Sequence, residues 1–367
     1  MMIVGVVSET LLYLCFSILM GSFILHIVPI PYRPEINIPK KFLLLSIAGI
    51  AILSFTPALQ VVLTFYKSIG LGLTVRSVLF TFEVGQAWII TFILANILFI
   101  YIILFDIRKK STYSFIGITF TLALIFTLGW SSHASSLTEV SGFIAHSIHF
   151  IAVSIWIGIL FVISWFSTNK ENWLNFLKWF SPVAIICLLT TLGTGLFLMS
   201  LVVDFKDYTN AWMLSYGQAL LIKHLFIIPL LVFAFINSVL MKKRLNKDKD
   251  FNPRTWTKAE SGILLFIFSA TAALGQQPPP HDLETSLATN GPAKLFELFY
   301  QGNIERDLSA TLSFGINSIS LIGLAILFLI VTILSFVKKA PTVLSFIMSI
   351  VVVLTSYLAL MLSVVLK

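Results

Sequence analysis

Apolar runs about as long as a bilayer is thick recur from one end of the chain to the other, separated by short polar connections. They fall near 5–28, 42–66, 84–105, 114–131, 140–166, 180–203, 214–241, 257–275, 313–336 and 342–365. A helix crossing the ~30 Å hydrocarbon layer needs about 20 apolar residues, so each run predicts one span. Ten such spans predict an all-α, polytopic integral membrane helical bundle, because a helix satisfies its own backbone where no water can. The first run has no basic leader and no small-residue cleavage site, and is expected to stay in the mature chain. The long connection at 276–312 opens on the stop Pro278-Pro279-Pro280 and predicts a short interfacial helix around Lys294 to Tyr300.

One run breaks the apolar pattern. Between Gly129 and Leu160 the chain reads GWSSHASSLTEVSGFIAHSIHFIAVSIWIGIL and holds three of the six histidines. His133 lies in the polar break, while His146 and His149 sit one turn apart in the run that follows and share a helix face. That face extends to Trp156 in one direction and through Gly142 to Glu139 in the other. A fourth histidine, His224, lies about ten residues into the seventh run, directly after Lys223. His26 falls at the end of the first span and is expected to be interfacial and structural.

Composition agrees with the pattern. The chain of 367 residues is 58% hydrophobic and 11% charged, with 33 Phe against 16 acidic residues, which excludes a soluble domain. The net charge of +8 would suit nucleic acid if it formed a patch, but the Lys and Arg sit in short connections, so no nucleic-acid partner is expected. Placing the N-terminus outside puts seventeen basic residues in inner connections, among them Lys40, Lys41, Arg108 to Lys110 and the run from Lys242 to Lys258. Six remain outside (Lys67, Arg76, Lys206, Lys294, Arg306 and Lys367) and Lys223 lies within a span. That bias predicts both termini outside in the cytoplasmic membrane. His133, His146, His149 and His224 then share the outer half of the bilayer, within roughly 10–17 Å of its boundary for those inside spans.

A polar side chain inside a bilayer is a functional-site candidate by default. The plainer alternative is that each imidazole hydrogen-bonds a neighbouring helix and holds the bundle together. Imidazole suits copper, zinc, iron and nickel, and thioether or thiolate groups add a preference for Cu(I). Met20, Cys15, Met199 and Met213 are placed to contribute but read as packing. No GxxxxGK[ST], GxSxG or HExxH occurs, so no enzyme is expected. Cys15 and Cys187 both lie in apolar runs and imply no disulfide framework. A haem b electron carrier with His149 and His224 as axial ligands stays open, as does a copper-binding sensor or assembly factor without transport.

Several stretches carry a family resemblance. The SHA of Ser132 to Ala134, HSIHFIAVSIWIG of His146 to Gly158, YGQALLIKHLFIIPLLVFAFIN of Tyr216 to Asn237, TFEVGQAW of Thr81 to Trp88, and AE…LGQQPPP from Ala259 to Pro280 resemble the copper resistance protein D (CopD) family. The chain departs from that pattern at Gly158-Ile159, where the family often has two glycines, and by two extra spans after residue 312. The resemblance implies three parts: a CopD-like eight-helix membrane domain at 1–280, an extracytoplasmic loop at 281–312, and two additional helices at 313–367. It also implies movement of copper ions across the cytoplasmic membrane, in several cases inward, with an extracytoplasmic copper-donor protein as a possible partner. On that reading copper is the substrate, captured by His133, held deeper by His146 and His149, and contacted by His224, while Trp156 and Gly158 shape the helix contact below.

Overall fold

The computed structural model describes residues 2–248, 250–280, 282–300 and 309–367. His281, Lys249 and Arg306 therefore lie outside the described residues. Ten helices among the described residues are long and apolar enough to cross a membrane, in register with the ten apolar runs. The chain divides into two compact units, residues 1–198 with 252–254, and residues 199–251 with 255–367.

The first unit contains α1 (Met2–Ile27), α2 (Lys40–Leu53), α3 (Thr56–Ile69), α4 (Leu71–Phe80), α5 (Glu83–Leu104), α6 (Ser111–Trp130), α7 (His133–Leu137) and α8 (Glu139–Phe166). It also takes in α9 (Trp173–Ser200) as far as Leu198. The second apolar run is broken after Leu53, and the chain restarts as α3 with Pro57 in its first turn, where the missing N–H would have no helical partner. Residues 71–80, expected as loop, form a helix that folds back on α3. Gly70 makes that turn with a φ of +83°, and Ala58, Val62 and Val78 bury against one another. The sixth span starts at Trp173, earlier than its apolar run, because Trp173, Phe176 and Phe180 pack as a ring cluster with Phe176 fully buried.

At the centre of this unit α8 packs most extensively on α1. Small residues allow it: a Cβ on Gly158 would lie 2.2 Å from the Ser17 carbonyl oxygen, and one on Gly21 would meet the backbone of Gly158. Such close crossings are how membrane helices gain dispersion contact without a hydrophobic drive. The result is visible in burial, since 72% of the apolar window of α8 is covered against 44% or less in each of the other spans.

The second unit holds α10 (Ser215–Phe235), a π-turn at Ile236–Leu240, α11 (Met241–Lys247), α12 (Arg254–Gly275), α13 (Leu283–Asn290), α14 (Lys294–Glu297), α15 (Ile316–Val337) and α16 (Thr342–Met361). The helix expected around Lys294 to Tyr300 is the single turn α14, and α13 precedes it. The last two spans form a hairpin, α15 on α16, and α16 packs against α10. Gln218 on α10 is 2% exposed; it accepts from the Tyr357 hydroxyl at 2.5 Å and donates to the Trp212 carbonyl. Two short strands, β1 (Ala310–Leu312) and β2 (Val364–Leu366), pair antiparallel with Thr311 opposite Val365. No periodicity announced them, because three residues are too few to show one.

Candidate functional site

The polar stripe of α8 points into a covered helix. Trp156, expected as a shaper of the helix contact or as an interfacial aromatic, is 4% exposed and so part of the core. Gly158 is the close crossing with α1 described above, and Gly142 lies against the Ala134 carbonyl of α7. His146 and His149 are each half-buried on this helix. His133 is the exposed first residue of α7, whose amino end is capped by Ser132 accepting from the Ser135 amide. Glu139 is exposed at the start of α8.

His149 is oriented by the helix beside it. Its Nδ1 lies 3.0 Å from Thr194 Oγ1 on α9. The threonine hydroxyl owns one proton, and that proton goes to the Thr190 carbonyl at 2.6 Å. Thr194 must then accept from His149 Nδ1–H, which puts the lone pair of the neutral ring on Nε2. Gly195 lies beside the ring, where a Cβ would stand 3.4 Å from Cε1, close to ordinary contact distance. A hydroxyl that fixes the tautomer in this way is what a metal-binding imidazole ordinarily needs from its neighbour.

His224 belongs to the second unit and is held by a different logic. Tyr208, in the connection before α10, places its hydroxyl 2.7 Å from His224 Nδ1, with the ring centroids 5.6 Å apart. Burial pushes the Tyr208 phenol up to about 12, so it keeps its proton. That proton can be donated to His224 Nδ1, an arrangement in which the neutral imidazole carries its own proton on Nε2. The same connection lines an open cavity of about 640 Å³ that includes Asp204, Asp207, Met213, Asp282 and Glu284.

Among the described residues, no group of three or more His, Cys, Asp or Glu side chains is gathered so that it could hold a metal ion. The structure brings His146 and His149 onto one helix face of the first unit and leaves His224 in the second. The thioethers read as packing are so placed: Met20, Met199 and Met213 are 1%, 7% and 1% exposed. His26 donates from Nδ1 to the Ser22 carbonyl of its own helix at 2.7 Å, an arrangement that suits a structural imidazole. Thr194, Gly195 and Tyr208 were not singled out from the sequence. The signal for the first two was there, in the small and hydroxylated run TTLGTG, Thr190 to Gly195, inside an otherwise apolar span.

Fold and site together define a polytopic helical membrane protein with imidazoles inside its spans. Residues 174–274 match the family profile described as Copper resistance protein D, CopD. The copper transport protein CutJ of Bacillus subtilis (strain 168) is 25% identical over 330 residues, covering 84% of this chain and 57% of the relative. This chain thus spans a little over half the length of that relative. Both findings support the CopD family for this chain, as its motifs do. The matched segment contains Thr194, Tyr208 and His224, while His133, His146 and His149 lie before it. No solved structure matches.

Proposed function

We propose that this protein moves copper ions across the cytoplasmic membrane, taking them up from the outer face. The single observation that carries the reading is the contact of His149 Nδ1 with a Thr194 hydroxyl that already donates to the Thr190 carbonyl, one turn from His146; it favours the tautomer with Nδ1–H on Thr194. Copper accepts imidazole nitrogen readily, and the relative named for copper transport supplies the cargo. In this reading His133 captures the ion at the exposed start of α7, His146 and His149 hold it on α8, and His224 takes part further on. Copper is the substrate throughout, and an extracytoplasmic copper-donor protein is a partner that the exposed mouth would serve. Residues 1–280 form the copper-handling membrane domain, 281–312 an extracytoplasmic loop, and 313–367 two additional helices.

The test is metal analysis of purified full-length protein together with uptake into liposomes. His146→Ala/His149→Ala should lose most bound copper while still inserting and purifying, and His26→Ala should keep it. Full copper stoichiometry in the double variant overturns the site, and a Soret band on purified wild type would point to haem instead. Orientation is tested with an impermeant thiol reagent on intact cells. Ser136 is exposed in α7 whereas Ser135 is buried, so Ser136→Cys is the position to probe, against Asn246→Cys on the basic side. Labelling of Ser136→Cys alone is expected; the reverse pattern overturns both the topology and the side of entry.

A further inference from the structure

The helix that carries His224 does not remain α to its end. At Ile236–Leu240 it forms a π-turn, which inserts one residue and persists mostly where a site uses it. The turn carries Asn237, 5% exposed. Its Nδ2 donates to Glu260 Oε2 on α12 at 2.6 Å and to the Trp256 carbonyl at 3.3 Å. The Trp256 contact fixes which way the amide faces, because a flipped amide would set oxygen against oxygen. Asn237 Oδ1 is left buried with no partner among the described residues.

Glu260 is 3% exposed and stands seven residues into a membrane-spanning helix, roughly 10 Å along it. No charged side chain among the described residues faces it. On α11, Arg244 is stacked on Phe251 and Phe336 and donates to the Phe336 carbonyl. Beyond α15, Lys339 pairs with Asp248. On α12 itself, Lys258 is two residues away and so on another side of the helix. From α10 the ring of Phe233 meets Trp256, from α15 Phe336 does, and from α16 Phe346 lies against Gly262. A carboxylate buried this deeply, with one neutral amide for a donor, recovers far less than its lost hydration.

We propose that Glu260 is an intramembrane proton-binding site and that Asn237, seated in the π-turn, reads whether the proton is there. The neutral acid suits the arrangement described; loss of the proton to solvent leaves an anion that draws on the amide and on whatever water can reach it, and the π-turn is the part of the helix free to shift register. His224 is thirteen residues earlier on the same continuous helix, about 20 Å away, with Pro229 between as a second weak point in the backbone ladder. That the proton biases copper movement rests on the proposed transport; the proton site does not.

Infrared spectra of the purified full chain test the site directly. A protonated-carboxyl C=O band should be present near neutral pH, should vanish as pH is raised, and should be missing in Glu260→Gln, whose neutral amide still accepts from Asn237. If that variant does not purify, glutamate labelled with 13C identifies the band in wild type by its shift. Absence of the band, or a band that survives in Glu260→Gln or never titrates, overturns the proposal. Uptake in liposomes separates the two readings: wild type should show a pH profile at least tenfold deep that Glu260→Gln flattens. A titrating band in a protein that moves no copper leaves the proton site standing and removes the transport.

Discussion

His149 and His224 each meet a hydroxyl at Nδ1, at 3.0 and 2.7 Å, but the two hydroxyls are not equally free to give a proton. Thr194 has already given its proton to a helix carbonyl, so it can only accept, and His149 presents a lone pair at Nε2. Tyr208 has kept its proton and can donate it to His224 Nδ1, which Thr194 cannot do for His149. Two imidazoles at similar sequence depth in apolar helices are therefore unlike as ligands. What distinguishes them is the destination of one hydroxyl proton, not burial or spacing. The helices differ in the same sense: α8 is the most covered span and is closed on α1 through Gly21 and Gly158, while α10 contains Pro229 and runs into a π-turn.

The comparison breaks most sharply at Thr194. Thr194→Val keeps the shape and removes the acceptor, so His149 is free to carry its proton on Nε2, where an ion would bind. Loss of such a supporting hydrogen bond typically costs about 10- to 100-fold in metal affinity, and that is the loss expected for copper by titration of the purified protein. Tyr208→Phe should do the opposite or nothing, holding affinity within about threefold or tightening it, because it releases the nitrogen of His224 that the phenol occupies. The phenol's displacement to about 12 means its proton stays on across neutral and mildly alkaline pH, so raising pH over that range should not mimic Tyr208→Phe. Equal losses in the two variants would end the distinction drawn between the histidines.

Much of the architecture was legible because it rests on one strong signal. Ten apolar runs became ten candidate spans among the described residues, the second of them broken into α2 and α3, and an end moved where aromatic packing extended a helix outward, as at Trp173. The helix α4 was hidden because it is short, amphipathic and joined by a positive-φ glycine that reads as loop. The pairing of β1 with β2 was hidden because its partners are more than fifty residues apart and neither strand has length enough for a pattern. The histidines were found from polarity in apolar surroundings, but what each can do depends on Thr194 and Tyr208, which come from other segments. No local spacing links His149 to a residue forty-five positions on, so ligand readiness lay beyond the sequence even where the ligand did not.

The smallest expected effect lies in a connection that carries neither imidazole and serves to show that the large ones are local. In the connection between α5 and α6, Arg108 donates through Nε to Asp106 Oδ1 and through Nη2 to Oδ2, both at 2.9 Å. These hydrogen bonds are the main reason the Asp106 carboxyl is held down at about 2. The side chains are 59% and 28% exposed, so water screens the pair, and exposed pairs contribute at most ~1 kcal/mol. The sign follows from the depressed value. An unfolded Asp titrates near ~3.9, so the stabilisation is complete above that pH and fades as pH falls toward about 2. Asp106→Asn should therefore cost no more than ~1 kcal/mol at neutral pH, nothing once the wild-type carboxyl is protonated, and no copper affinity at any pH. Thermal unfolding in detergent at two pH values, with copper titration alongside, reads all three. A fall in copper affinity as large as that expected for Thr194→Val would mean that the basic end of the first unit takes part in binding, and the contrast between the two imidazoles would no longer account for it.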